Sequence, residues 1–220
     1  EKKVEERTSE LTSALDKIKV VSKRKSDFVS MVSHELRTPL TSIKGYASIL
    51  LTGKLGEIPK DVYTRLEKIN QHSDELVHMV NDLLDISRIE SGKVVMRQAP
   101  YELNSIIDKI TDLLAVQAKE RNIELITDVS DKKIGVLVDS GQIERVFINL
   151  IGNALKFTPE KGKITISAHK INDKEIQVDV SDTGSGIPDE AQEAVFDEFY
   201  RVHNTINQQV KGTGLGLSLV

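Results

Sequence analysis

At 220 residues, 39% of them hydrophobic, the chain is long enough for one large domain or two modest ones and is too apolar to be disordered throughout. Its 34 acidic and 30 basic residues give a net charge of −4, which offers no reason to expect nucleic acid or an anionic membrane surface as a partner. The absence of cysteine excludes disulfide frameworks, thiolate metal sites and cysteine nucleophiles, and no apolar run approaches the length of a bilayer span.

The opening EKKVEERTSE lacks the apolar core of a signal peptide, so any membrane anchor is expected outside this sequence. From Val4 onward, apolar residues recur at seven-residue intervals. Val4, Leu11, Ile18 and Val32 share one seat, and Ala14, Val21 and Phe28 the other, a coiled-coil seam interrupted by Arg7 and Lys25. Continuing that register turns His34 away from the tightest packing. Leu36, Leu40, Ile43, Ala47 and Leu50 carry the helix past Pro39, a residue costing roughly 3 kcal/mol inside a helix.

Glycines and a proline in TGKLGEIP break the first helix and start a second. The second reads Val62, Leu66, Ile69, Ser73, Leu76, Val80 and Leu83, and stops at Ser91-Gly92, with Gly92 a left-handed cap. Two antiparallel helices with one apolar stripe each cannot enclose a core, so two hairpins pairing into a four-helix bundle, and hence a homodimer, are expected.

After a short linker at 93–98 the pattern changes to an α+β domain. Leu103 to Arg121 and Ser140 to Phe157 have helical period, IELITDV and IGVLV read as strands, and ITISAH and EIQVDV as a strand pair. The expected division is a coiled-coil signalling helix at 1–24, a helical hairpin domain at 25–92 and an α+β two-layer sandwich at 99–220.

Asn149, Asn153 and Lys156 fall on one helical face, a set suited to a hard cation bridging phosphate oxygens, and equally to a solvated outer face. Alternation puts Ile176, Val178, Val180 and Asp182 on one side of a strand, ending a buried row with a carboxylate that an adenine amino group would satisfy. GSGI and GTGLGL supply Gly184, Gly186, Gly212, Gly214 and Gly216, whose backbones can approach a phosphate. There is no GK[ST] ending and no GxGxxG spacing. HELRT lacks the second histidine of a zinc helix, because Thr38 stands there. His72, His78, His169 and His203 lack metal-ligand spacing and read as packing or surface residues.

Taken together, SHELRTPL, NLIGNALKFTP, DTGSGI, FDEFYR and GTGLGL resemble, in order, the phospho-acceptor, asparagine, first glycine, phenylalanine and second glycine boxes of the sensor histidine kinases of two-component signalling. The resemblance implies a dimerisation and phosphotransfer hairpin followed by an ATP-binding sandwich of the Bergerat type. It implies that His34 is phosphorylated by ATP, with Glu35 assisting proton removal and Thr38 orienting a water for a phosphatase activity. It assigns magnesium to Asn153 with Asn149 assisting, phosphate contacts to Lys156 and Arg201, the adenine amino group to Asp182 and the base to Phe157. Ile187, Thr213 and Leu215 complete the glycine boxes around ATP, and Phe196 and Phe199 pack a lid at about 188–211.

The same resemblance implies transfer to an aspartate of a response-regulator receiver domain docked near Ile43, Tyr46, Ala47 and Leu50, with Pro39 as a hinge between activities. An upstream sensor module outside this chain and a cytoplasmic setting, alone or as part of a membrane-anchored sensor, follow. The family's sandwich usually continues beyond GLGLSLV, so the C-terminal fold is expected to be incomplete. A silent nucleotide-binding scaffold and a plain ATPase of the same fold are the competing classes.

Overall fold

The computed structural model describes residues 2–129, 134–202 and 212–220, which divide into two compact units at Val94/Val95. In the first, α1 (Lys2–Leu51) runs unbroken through Pro39 and is joined to α2 (Lys60–Glu90) by a turn in which Gly53 and Gly56 adopt φ of +68° and +121°. Gly92 closes α2 at φ +64°, the left-handed cap expected from its position.

Cross-helix pairs fix the antiparallel register rung by rung. Lys25 meets Glu90 at 2.9 Å, Arg37 Nη2 donates to Asn81 Oδ1 at 2.7 Å, Lys44 meets Asp74 at 2.5 Å, and Ser48 donates to Asn70 Oδ1 at 3.1 Å. The residues of α1 buried against this partner are small: Ser26, Ser33 and Ala47. Opposite them lie Ser73, Val80, Leu84, Ile86 and Ser87 of α2. The heptad residues Val4, Leu11, Ile18, Val21 and Phe28 stay outside, Phe28 being 62% exposed. The apolar seam is thus left unspent by the single chain, while a second, small-residue stripe makes the hairpin.

The second unit contains β1 (Ala99–Glu102), α3 (Leu103–Glu120), β2 (Glu124–Val129), β3 (Gly135–Val138), α4 (Ser140–Phe157), β4 (Lys163–Lys170) and β5 (Ile176–Asp182). A three-stranded sheet of order β2-β4-β5 has β2 parallel and β5 antiparallel to β4, and β1 pairs antiparallel with β3 apart from it. Burial in α3 falls on Leu103, Ile106, Ile107, Ile110, Leu114 and Ala118, the three-and-four spacing of one helical face. The same rule in α4 buries Phe147, Ile151, Ala154 and Leu155. Alternate residues Ile164, Ile166 and Ala168 of β4 meet both helices in one core.

Strand β1 has no counterpart in the sequence reading, because APYE is only four residues long and begins beside a proline. Asp139 caps α4, its Oδ1 accepting from the Gln142 N–H at 3.2 Å and its Oδ2 from the Arg97 N–H at 2.8 Å. These bonds, led by the one from Arg97, hold its carboxyl below the usual carboxylate range. A depressed carboxylate stabilises the fold above its unfolded pKa of about 3.9, and that contribution is lost as pH falls through the lower folded value. The melting-temperature difference between the natural chain and Asp139→Asn should therefore be full at pH 6 and shrink progressively below about pH 4.

Candidate functional site

On the hairpin, burial of Ser33 at 1% exposure and the Arg37–Asn81 bond fix the rotation of α1 about its axis, and that rotation leaves His34 in solvent. Glu35, Thr38 and Pro39 are exposed beside it. The Thr38 hydroxyl, one turn on, donates to the His34 carbonyl at 3.4 Å and so lies on the histidine's face of the helix. Pro39 has no N–H to give the Glu35 carbonyl, so the backbone is one hydrogen bond short immediately after the histidine. Of the four expected docking residues, Ile43 and Tyr46 are exposed, at 46% and 70%, and Leu50 is partly exposed. Ala47 corrects the expectation: at 3% exposed it is packed inside the hairpin and offers no docking area.

In the second unit, close contacts gather three separate segments around the C-terminal half of α4. A Cβ at Gly184 would lie 2.7 Å from the Phe157 carbonyl oxygen and 2.6 Å from Asp182 Oδ1, so the turn after β5 is seated against the end of α4. A Cβ at Gly216 would lie 3.5 Å from Asn149 Oδ1, which places the last glycine loop over the same helix. Gly214, at φ +75°, would bring a Cβ 2.7 Å from the Phe199 carbonyl carbon, and its carbonyl accepts from the Phe199 N–H at 3.0 Å. That bond ties the phenylalanine box to the second glycine box.

Asp182 differs from its expected setting. Its row of Ile176, Val178 and Val180 packs on the core, but the carboxylate itself is exposed and Oδ1 accepts from the Gly184 N–H at 2.7 Å. The strand ends at this residue, so the sheet no longer covers it. Thr183 stitches the turn to β4, its hydroxyl oxygen accepting from Lys163 N–H at 2.9 Å. Leu215 is fully buried and holds the loop down, while its N–H donates to the Thr213 hydroxyl oxygen at 3.2 Å. Gly186 is left-handed at φ +69°, and Ile187 is 47% exposed beside it.

Asn149 and Asn153 are half-buried and Lys156 is exposed one turn beyond. Buried Asn149 Nδ2 has no hydrogen-bond partner. Oδ1 is the end nearer the Gly216 loop and Nδ2 the end without a partner, and the pair fits a ligand there: as placed, the oxygen would meet a hard cation, and turned end for end the N–H would donate to a phosphate oxygen. The residues present therefore fit a magnesium-nucleotide. Arg201 and Gly212 flank a stretch, 203–211, that falls outside the described residues, as do the greater part of the second half of the expected lid and His203. Sequence reasoning passed over Asp139, although DSGQ carries the acceptor-x-x-Gln pattern of a helix cap. It also passed over Arg121, whose guanidinium donates to the Leu155 carbonyl and secures α4 from behind.

Residues 24–92 match the His Kinase A (phospho-acceptor) domain, and residues 138–220 match the histidine kinase-, DNA gyrase B- and HSP90-like ATPase family. The chain belongs to the sensor histidine kinases. This kinase chain is 34% identical over its whole length to the circadian input-output histidine kinase CikA of Synechococcus elongatus, covering 29% of that protein. It is 35% identical over 94% of its length to the signal transduction histidine-protein kinase BarA of Escherichia coli, covering 23% of it. It thus spans less than a third of either relative.

Among solved structures, full-length ShkA in complex with AMPPNP superposes with a TM-score of 0.73 at 27% identity, over 88% of this chain and 39% of that one. ThkA in complex with the response regulator protein TrrA superposes at 0.56 and 27% identity, over 80% and 50%. No described helix of the kinase is long and apolar enough to cross a membrane.

Proposed function

We propose that this chain transfers the γ-phosphoryl group of ATP to His34 and then to an aspartate of a response-regulator receiver domain. The observation that carries the reading is an exposed His34 within a phospho-acceptor match, in one chain with an orphaned Asn149 amide beneath the glycine loop of an ATPase match. The relatives named above support it: ShkA binds AMPPNP and ThkA binds TrrA in their solved complexes.

In the proposed step, a lone pair on one His34 ring nitrogen forms the N–P bond while the bond from γ-phosphorus to the β–γ bridging oxygen breaks. ADP leaves with that electron pair, and the proton on the other ring nitrogen passes to Glu35. Lys156 and Arg201 offset charge on the phosphate oxygens. Asp182, with Oδ1 engaged by Gly184, presents its other oxygen to the adenine amino group, and Phe157 packs the base. Magnesium, held by the amide oxygens of Asn153 and Asn149, would supply further neutralisation of those phosphate oxygens. Thr38, on the His34 face, is the residue through which a phosphatase activity toward the regulator would run, with Pro39 as the hinge between the two activities.

Incubation with radiolabelled ATP and magnesium, followed by a receiver domain, tests the reading. Acid-labile, base-stable label should appear on the chain and move to the receiver but not to its aspartate-to-alanine variant. Bound nucleotide without label would support a scaffold, and free phosphate without label an ATPase.

The exposed seam residues support a homodimer, because apolar side chains at heptad spacing on one helix need a second copy to cover them. Phe28→Asp should shift the chain from dimer to monomer in analytical ultracentrifugation, raising the dissociation constant by about two orders of magnitude. An unchanged dimer would place the seam elsewhere.

A further inference from the structure

Residues 93–98, between the two units, have no helix or strand of their own, yet both ends of this segment are tied down. At the hairpin end, Lys93 Nζ lies 3.3 Å from Asp27 Oδ1 and 3.5 Å from Ser26 Oγ on α1. At the other end, the Arg97 N–H donates to Asp139 Oδ2 at 2.8 Å, two residues before β1 begins. Between the clips lie Val94, Val95 and Met96; Val94 is half-buried, while Val95 and Met96 are 80% and 59% exposed, so packing does not restrain those two.

Asp139 divides its carboxylate between two tasks. Oδ1 caps the helix that carries Asn149 and Asn153, and Oδ2 grips the linker. We propose that Asp139 is a positioning residue for phosphoryl transfer: it joins the linker to the N-terminus of the nucleotide-binding helix and confines domain movement to a three-residue hinge, Val94–Met96. This rests on the kinase reading above, and it adds where the swing is set.

Tether length sets how far the two units can separate. Between the clipped residues Lys93 and Arg97 the chain has four peptide steps, about 14 Å when fully extended. Releasing Arg97 lengthens the slack and dilutes the nucleotide about His34, which lowers the intramolecular rate without changing how ATP is held. The hairpin clip is half-exposed and weakens with salt, whereas the backbone donor at Arg97 has a fixed place on the chain, so the Asp139 end is the firmer of the two.

Asp139→Asn separates the two tasks. An asparagine has one carbonyl oxygen, which retains the cap on Gln142, and it turns an N–H₂ toward the Arg97 N–H, where two donors cannot bond. At saturating ATP the variant should autophosphorylate about three- to tenfold more slowly with a KM for ATP within about twofold of the natural chain. Inserting two glycines after Met96 in the natural chain should reproduce that split.

Trypsin supplies a readout independent of catalysis: cleavage after Arg97 should be about tenfold faster in Asp139→Asn. Equal cleavage rates would overturn the clip. Faster cleavage with an unchanged autophosphorylation rate, or a slow Asp139→Asn beside a full-rate glycine insertion, would overturn the positioning role. A natural chain that takes up no phosphate would sink the kinase reading, and with it the positioning role, while the trypsin comparison still decided the clip.

Discussion

His34→Gln should take up no acid-labile phosphate from ATP, a loss of at least about three orders of magnitude, while binding nucleotide as tightly as the natural chain. Glutamine is close in size to histidine and His34 is exposed, so the substitution opens no cavity and breaks no packing. The missing element is a nucleophilic ring nitrogen alone. Melting temperature and nucleotide affinity should stay within error. Label at the natural level in this variant would mean that another side chain accepts the phosphoryl group.

Gly184→Ala should cost at least about a hundredfold in ATP affinity, measured by titration with a fluorescent nucleotide, and about 1–3 kcal/mol of stability in the second unit. The added methyl would sit 2.7 Å from the Phe157 carbonyl oxygen and 3.0 Å from its carbonyl carbon, which are backbone atoms that cannot swing aside. Its third neighbour, Asp182 Oδ1 at 2.6 Å, is the carboxylate assigned to adenine. Relief requires the turn to lift from α4, so Asp182 and the helix end move apart. Gly212→Ala is the contrasting case, since nothing among the described residues lies within 4 Å of its Cβ position, and it should bind ATP within about threefold of the natural chain. Equal losses in the two variants would mean that glycine flexibility, and not close approach, is what the site needs.

The elements that long periodic patterns describe were legible in the sequence. Burial of Ile106, Ile110 and Leu114 in α3 and of Phe147, Ile151 and Leu155 in α4 follows from a helical period, and Ile164, Ile166 and Ala168 from alternation. Gly92 ended α2 as the left-handed cap expected of it, and the Gly53–Gly56 turn ended α1 where glycines were expected to break the helix. The exposure of His34 followed from counting positions past Val32.

What escaped is decided by partners that sequence spacing does not name. The hairpin interface uses Ser26 and Ser33, because two backbones approach closely only over small side chains, and hydropathy gives serine no core weight. Ala47 was read as surface for the opposite reason: its stripe continues Ile43 and Leu50, but only its methyl is short enough to sit between the helices. Asp182 was read as buried because alternation reports which side of a strand a residue takes, not whether the sheet still covers the strand's last residue. The two jobs of Asp139 could not be divided without coordinates, since Arg97 lies 42 positions away.

On the proposed mechanism, phosphate from ATP ends on His34. Its most direct test is to incubate the purified chain with magnesium and ATP, digest with trypsin at alkaline pH, and locate the phosphate by mass spectrometry. One phosphoryl group should appear on the peptide Ser26–Arg37, assigned by fragmentation to His34 and removed by brief acid. Phosphate that survives acid on Ser26, Ser30 or Ser33 of that peptide, or a peptide that stays unmodified while ATP is consumed, would contradict it.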